Sequence, residues 1–429
     1  MSLAIRRVAA ATFIRRAALA YLIIWVLSPP LSYGTIWRVL AVLAMLSWLA
    51  VDTLSSRSVL LRPNWPVLGC MAFIIYTVFI EWLVPDRSII NTYFQVWIML
   101  FFMLVGESFR RDQPGDARFC FWVTLVVLPV WVSRTLWGLE TYGPTVARTI
   151  VRSSEEAQAL ADQGFGGYPL VYAGVLCLPF LAQLAFRSRI ETDSRKVWWQ
   201  RWPPRILIWI NLVLVVLLAL RAGYSIAVLL AVLALLCVLL VGARSLLPLA
   251  MSVLAVAVLT LLASVAYEPA LEFLEQASAG TEYSSKFRDI LTSVEEGEST
   301  GTLEERTERY LKSINAFLEN PVIGTLSLDP TGKHSAILDR FAKYGFGFGL
   351  LFVALLLHVP FRTLPSRHIP IGLAVGFLVV AALFPLVNNV GMSWGIMLYM
   401  FSRGAFVVMG VPLGQSQQPH AAAGVHVHA

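Results

Sequence analysis

One polar stretch of this chain carries Arg306-Thr-Glu-Arg309-Tyr310, then Phe317, Asn320-Pro321-Val-Ile-Gly324, then His334-Ser335. Guanidinium groups stay charged and bind planar oxyanions through two parallel hydrogen bonds. Neutral imidazole is the commonest side chain for moving a proton near neutral pH. An anionic substrate and a proton acceptor could therefore meet on this stretch. The bland alternative is a surface histidine on a solvated loop.

The stretch reads as a helix closed by a turn. Thr302-Leu-Glu-Glu305 fits a capping box, and Pro321 stops the helix at Asn320. Leu303, Tyr310, Leu311, Ile314, Phe317 and Leu318 share one face at helical spacing. Arg306 lies one turn before Tyr310, at the edge of that face, so it is expected against the protein body. Arg309 points to the polar side with Glu305 and Lys312, toward water.

The rest of the chain must position this stretch, and it is apolar. Hydrophobic residues make up 58% of 429 and charged residues 14%, against about 25% charged in a soluble domain. That composition excludes an ordinary soluble enzyme. Apolar runs near the spanning length of about 20 residues recur at about 18–36, 39–54, 66–84, 89–106, 119–138, 168–186, 206–221, 224–243, 246–266, 344–361, 369–389 and 393–411. Within hydrocarbon every backbone group must be satisfied internally, so the runs are read as helices. The expected fold is all-α: a polytopic integral membrane protein with about 12 transmembrane helices. Spans one to nine occupy 1–266, with an outer loop at about 140–167. Residues 267–343 form a large outer loop of helical segments lying on the membrane, spans ten to twelve occupy 344–411, and 412–429 form a disordered tail. Common connections run about 4–6 residues, so the late polar insert is where chemistry is expected.

Charge gives the orientation. Twelve spans put Arg6, Arg7, Arg15 and Arg16 on the same side as Arg57 and Arg62, Arg110, Arg111 and Arg118, the basic run from Arg187 to Arg205, Arg244, and Arg362 and Arg367. The short opposite loops offer little beyond Arg38, Arg87 and Arg221. The positive-inside bias then places both termini in the cytoplasm and the two long loops outside. The net charge of +7 is mostly this bias, and no nucleic-acid partner follows from it. Ser28-Pro29-Pro30 follows the first apolar run in place of a small-residue cleavage site, so that run is read as an uncleaved span. Cys70, Cys120, Cys177 and Cys237 form neither a ligand-spaced cluster nor a disulfide framework. His420, His426 and His428 are read as part of the disordered tail, and no metal site is expected.

An arginine at a span's centre costs roughly 2.5–3.5 kcal/mol on insertion scales, so each needs a reason. Arg221 ends one run and precedes Gly223-Tyr224-Ser225. It could snorkel to water or bind an anion. Arg134, near the outer end of its run, is read at least as readily as snorkelling. Arg403 lies well inside the last run and is expected to pair within the bundle. The first outer loop carries Arg148 and Arg152, then Gly164-Phe-Gly166-Gly167-Tyr168. Gly345-Phe-Gly347-Phe-Gly349 opens a membrane helix, and close helix packing explains it better than nucleotide binding.

No Walker-type loop, zinc spacing, nucleophile elbow or acidic metal pair is present. An outward-facing enzyme without access to nucleotides needs a substrate that carries its own activation. A sugar on a lipid pyrophosphate does so, because pyrophosphate leaves readily, and arginines suit it.

On these residues the chain resembles the O-antigen ligase and polymerase superfamily of bacterial cell-surface polysaccharide enzymes. That family's late periplasmic loop carries an arginine, an aromatic, a Pro-x-x-Gly turn and a His-Asn or His-Ser pair. Arg306, Tyr310, Pro321-Val-Ile-Gly324 and His334-Ser335 match them in order and approximate spacing. Arg221-Ala-Gly-Tyr-Ser225 is similar to the family's arginine at the outer end of an earlier span, and Lys343-Tyr-Gly345-Phe-Gly347 to the Gly-rich start of the next one. Two positions depart: Gly324-Thr325-Leu326 replaces a frequent Gly-x-Gly, and Lys343 stands where an acidic residue is often found. The resemblance covers roughly residues 200–360 and is topological elsewhere.

The resemblance implies a metal-independent, cofactor-free glycosyltransferase at the periplasmic face of the bacterial inner membrane. The donor would be a glycan on undecaprenyl pyrophosphate, whose anomeric carbon an acceptor hydroxyl attacks. Arg306 and Arg221 would stabilise the departing pyrophosphate, and His334 would orient or deprotonate the acceptor. Arg309, Tyr310 and Ser335 would shape the substrate site, with Arg148 and Arg152. The reaction it points to is polymerisation of a secreted exopolysaccharide or capsule, closest to xanthan-type polymerases. Ligation onto lipid A core is the runner-up. A chain-length regulator and export machinery are the implied protein partners. The rival of a different class is a lipid-linked oligosaccharide flippase. The lack of a repeat between the halves, and the concentration of polar residues in one outer loop, count against it.

Overall fold

A computed structural model describes residues 3–55, 58–83, 90–112, 114–143, 146–150, 155–186, 202–240, 275–276, 284, 288, 301–364 and 368–411. Every regular element among them is helical: α1 (Leu3–Leu27), α2 (Pro29–Tyr33), α3 (Thr35–Thr53), α4 (Trp65–Leu83), α5 (Ile90–Asp112), α6 (Pro114–Tyr142), α7 (Val146–Thr149), α8 (Glu155–Asp162), α9 (Tyr168–Phe186), α10 (Trp202–Arg221), α11 (Ser225–Leu240), α12 (Gly301–Glu319), α13 (Ala336–Thr363), α14 (Ile371–Val387) and α15 (Met392–Val408). The middle of α15, Ile396–Phe401, is π-helical.

Seven helices are long and apolar enough to cross a membrane: Val8–Leu27, Thr35–Thr53, Trp65–Leu83, Pro114–Tyr142, Tyr168–Phe186, Pro204–Arg221 and Ala336–Thr363. Ser225–Leu240, Ile371–Val387 and Met392–Val408 are shorter apolar helices. The chain is a polytopic membrane protein built of helices. The expected apolar runs fall on described helices, apart from the one at about 246–266 and the tail 412–429, which lie outside the described residues.

Several expected boundaries move. The first run was placed at 18–36, but α1 ends at Leu27 because Pro29 and Pro30 cannot continue it and instead open α2. The helix of the late loop already includes Gly301, so Thr302 lies inside it and is not its cap. The span expected from about 344 begins as a helix at Ala336, so its first turns occupy the end of the segment read as loop.

α9 is the most enclosed of the long helices, and it packs against α10, α11, α14 and α15. α15 in turn lies against α5, α6 and α9, and α13 against α4, α12 and α14. Alternating helix directions give the bundle two chemically distinct ends. At one, Arg15 and Arg16 both pair with Asp116 at the start of α6, and Asn64 before α4 donates to Glu107 near the end of α5. We call this the basic end. The other, the loop end, carries α7, α8, α12 and the starts of α9, α11 and α13.

α13 is broken at Gly345, which has φ 69° and ψ −174°. Three backbone bonds explain the break. Phe346 N–H leaves its helical acceptor, the Ala342 carbonyl, and donates to Pro321 O at 2.7 Å. The vacated Ala342 carbonyl accepts from Thr325 N at 2.8 Å, and the Lys343 carbonyl accepts from Leu326 N at 2.9 Å. The Pro321-Val-Ile-Gly324 turn is thus docked into the kink. Gly324 also has positive φ, 79°, and a Cβ there would stand 2.4 Å from the Lys343 carbonyl. A Cβ on Gly345 would stand 2.1 Å from Val322 O. Close helix packing therefore does not account for the glycine run: Gly345 meets the turn, and a Cβ on Gly347 would meet nothing within 4 Å.

Gly324→Ala and Gly345→Ala should each destabilise the fold by at least about 2 kcal/mol, from positive φ and backbone collision together. Gly347→Ala should leave stability unchanged or slightly raised. Thermal unfolding followed by fluorescence-detected size exclusion separates the two outcomes.

Candidate functional site

α12 lies along the first turns of α13 with Ser313 and Ala316 buried and Arg306, Tyr310 and Phe317 half-buried. The packed face is therefore rotated from the one that hydrophobic spacing suggests. Leu311, Ile314 and Leu318 are exposed, as are Val322 and Ile323 in the turn and Phe346 on α13. In a membrane protein such a strip can face lipid, which removes the penalty that water would impose.

Ser313 holds the loop that follows. Its Oγ donates to Asp339 Oδ1 at 2.6 Å and accepts from Gly332 N at 2.9 Å. The backbone N–H groups of His334 and Ser335 also lie near the Asp339 carboxylate. Ser335 is the N-cap of α13, its Oγ accepting from Leu338 N at 3.1 Å. The same hydroxyl stands 3.4 Å from Pro385 O, and Ala336 N donates to Asn388 O at 3.0 Å. Ser335 is buried and its hydroxyl is spent on starting the helix. Its place is beneath the site, not facing a substrate.

His334 is held by this frame at the base of α12, its ring centroid 6.0 Å from that of Tyr310. Its Nε2 is buried and has no hydrogen-bond partner among the described residues. Burial, followed by the charges of Arg306 and Arg309, pushes its pKa below the ordinary value, with Glu305 opposing. The imidazole is consequently neutral near pH 7, with a lone pair or proton on Nε2 available to a bound group.

Tyr310 donates to Val387 O at 3.1 Å, at the end of α14. The Arg306 guanidinium lies within hydrogen-bonding reach of the same hydroxyl. Burial raises the Tyr310 pKa, with Arg306 opposing, so the phenol stays protonated and keeps its bond to Val387. Arg306 makes no ion pair among the described residues, whereas Arg309, on the exposed side, pairs with Glu305 one turn earlier. Arg306 is the cation whose charge remains available.

The Arg306 charge also acts on Tyr168, at the start of α9, whose ring packs with those of Tyr172, Tyr224 and Phe384. The rings of Tyr168 and Tyr224 meet edge to face at 5.6 Å, and those of Tyr168 and Tyr172 lie 4.5 Å apart. Tyr224 donates to Ala147 O at 2.8 Å, tying α7 to the start of α11. Arg221, three residues before Tyr224, is exposed at the end of α10 and makes no contact with Arg306 or His334 that would place it in their immediate group. The backbone at Arg148 lies in α7 beside this group, but its side chain and the whole of Arg152 lie outside the described residues. Arg134 is accounted for without function: Nε donates to Gln163 O at 2.9 Å and the guanidinium covers Trp137 at 4.4 Å.

No family model, curated protein or solved structure matches this chain. The site must therefore be argued from its own chemistry. Sequence reasoning missed Tyr168, Asp339 and Ser313. Tyr168 was visible only as the end of a Gly-rich loop, and nothing in its spacing tells of a distant arginine. Asp339 carried a usable signal: a carboxylate four residues after a Ser N-cap sits in the first helical turn, where it can reach back to free N–H groups. Among the described residues no group of His, Cys, Asp and Glu is arranged to hold a metal ion.

Imidazole 15N NMR of His334 should show a neutral ring at pH values below 6.5, the ordinary histidine value. The ring should protonate only as pH drops through the lowered pKa. Replacing Arg306 and Arg309 by Gln removes two of the lowering charges, so the midpoint should move up.

Proposed function

We propose that this chain is a polymerase of a bacterial surface or secreted polysaccharide. It transfers a glycan from undecaprenyl pyrophosphate onto another lipid-linked repeat at the periplasmic face of the inner membrane. The observation that carries this reading is the meeting, at one end of a membrane bundle, of Arg306, which makes no ion pair among the described residues, and a neutral His334 whose Nε2 has no hydrogen-bond partner among them. A cation without a carboxylate partner suits a pyrophosphate oxyanion, and a neutral imidazole beside it suits an acceptor hydroxyl.

In this scheme the acceptor hydroxyl attacks the anomeric carbon, and the bond from that carbon to the pyrophosphate oxygen breaks. Arg306 stabilises the negative charge that develops on the leaving group. His334 takes the acceptor's proton, and Tyr310 positions Arg306 by anchoring it to the end of α14. Tyr168 offers a phenol hydroxyl to the same anion. Arg221 stands at the same end and would meet a more distal part of the lipid-linked substrate, with Arg148 and Arg152 on the neighbouring loop. Arg309 keeps to the water side as part of the entrance. The scheme uses twelve spans, both termini in the cytoplasm, and a large periplasmic loop at 267–343. The layout supports it: α11 runs away from the loop end, and α12 is found back at that end.

Lipid-linked glycan profiling in cells lacking the gene tests the assignment. Single undecaprenyl pyrophosphate-linked repeats without long polymer are the expected outcome. Long lipid-linked chains that never reach lipid A would mean a ligase, and repeats trapped at the cytoplasmic face would mean a transporter. On complementation at matched expression, Arg306→Ala should lower polymer output by about 100-fold or more and His334→Ala by about 100-fold. Full output from both variants would remove the basis for an active site here.

A further inference from the structure

The start of α6 holds one carboxylate between two cations. Asp116 is buried, its Oδ2 accepting from Arg15 Nε and its Oδ1 from Arg16 Nε, the latter at 2.7 Å. Both bonds use Nε, so the terminal nitrogens of the two guanidinium groups are not spent on Asp116. Neither arginine pairs with a second carboxylate among the described residues. The trio therefore carries one more positive charge than it cancels. Arg15 is nearly enclosed, with 13% of its side chain exposed, whereas Arg16 is 41% exposed. Arg16 presents the surplus. A Cβ on Gly115 would stand 3.1 Å from Arg16 Nη2, so the guanidinium lies against the first turn of α6. The N–H groups of that turn lack intrahelical acceptors and add to the positive field.

Arg16 is also part of a wall. A groove of about 550 Å3 runs along α1, lined by Ala9, Thr12, Phe13, Arg16, Ala17 and Ala20, with Phe119 of α6 opposite. That is the size of an ordinary ligand pocket. Its origin lies in the sequence. Positions 9, 13, 16, 17 and 20 share one side of α1 at helical spacing, and alanine at three of them leaves space unfilled. The Arg16 guanidinium stands 5.6 Å over the Phe119 ring, which fixes the cation at the groove.

A single exposed cation among apolar walls selects an amphiphile with one anionic group. A free phosphate would use Arg16 alone and leave the alanines and Phe119 uncovered. An uncharged lipid would cover them and leave the surplus charge unmet. We propose that this groove binds an anionic phospholipid, with its phosphate on Arg16 and an acyl chain along Ala17, Ala20 and Phe119. The direction follows from α1, whose apolar span runs from Val8 past Arg16 to Leu27. Thr12, one turn before Arg16, offers its hydroxyl on the headgroup side. The site stands at the opposite end of the bundle from His334 and does not depend on the reaction assigned there.

The test uses the full-length protein in mild detergent, exposed to equal phosphatidylglycerol and phosphatidylcholine, with retained lipid read by native mass spectrometry. The wild type should retain phosphatidylglycerol over phosphatidylcholine by about fivefold. Arg16→Gln should bring that preference close to parity, while Arg15 still holds Asp116 in place. Arg16→Lys should keep most of it, and Arg205→Gln, an exposed arginine at the same end, should keep all of it. Ala17→Trp fills the groove without touching a charge and should lose most of the bound phosphatidylglycerol. Equal retention of the two lipids by the wild type would overturn the proposal without recourse to any variant. So would an unchanged preference in Arg16→Gln. Displacement of the lipid from the wild type by glycerol phosphate at matched concentration would show a free-anion site and overturn the lipid assignment. A dimer that retains no phosphatidylglycerol and separates in Ala17→Trp would show a second copy covering the groove, and would overturn it as well.

Discussion

The exchange of backbone hydrogen bonds between the Pro321–Gly324 turn and the kink at Gly345 is the constraint on which the loop end depends. A helix that stayed regular would use the Ala342 carbonyl for Phe346 N–H and leave the turn no acceptor. By trading that bond for two others, from Thr325 N and to Pro321 O, α13 gains a fixed seat for the turn at no net loss of hydrogen bonds. The trade needs the two backbones in contact, and only glycine at 324 and 345 allows that. The segment bearing Arg306 and His334 is thereby clamped at its middle to one long helix, to which Ser313 also ties it through Asp339. Groups mounted on such a frame hold position far better than groups on a free loop.

α14 supplies the second half of the frame through a deficit. The last carbonyls of any helix lack intrahelical partners. Those of Pro385, Val387 and Asn388 are met here by Ser335, Tyr310 and Ala336, residues of the site and its support. The end of α14 therefore reads out the positions of α12 and α13 together. A displacement of α14 would be felt first at the Tyr310 hydroxyl, and through it at Arg306. Tyr310 and Ser335 are thus placed to act through others. Arg306 and His334 are the side chains with capacity left for a ligand.

Much of this was legible from residue order, but only where the cause was local. Long apolar runs foretold helices because composition alone decides their environment. The division between Arg306 and Arg309 followed from helical spacing and holds in the fold. Pro321 ended its helix, as proline must. What stayed hidden was pairing across the chain. Gly324 and Gly345 look like ordinary turn and helix glycines until one is seen to need the other. Arg403 was expected to find a partner in the bundle, yet nothing near it in sequence points to Glu107, 296 residues away. The exposed leucines of α12 misled for a physical reason. Hydrophobic spacing tells which face avoids water, not whether protein or lipid covers it.

The two ends of the bundle use arginine in opposite ways, and carboxylates make the difference. At the basic end Glu107 draws Arg403 into a buried pair, and the charge of that arginine is consumed in holding three helices together. At the loop end the buried Asp339 accepts from Ser313 and lies near the backbone N–H groups of His334 and Ser335. Among the described residues Arg306 makes no ion pair and has the Tyr310 phenol within reach, and a neutral acceptor orients a guanidinium without cancelling it. Burial, and then this charge, lower the pKa of His334 against the opposing Glu305, so cation and neutral base support each other. A carboxylate beside Arg306 would neutralise the cation and raise the imidazole's pKa at once. The residues that keep Asp339 busy elsewhere, Ser313 above all, are therefore part of what makes the site able to meet an anion and accept a proton.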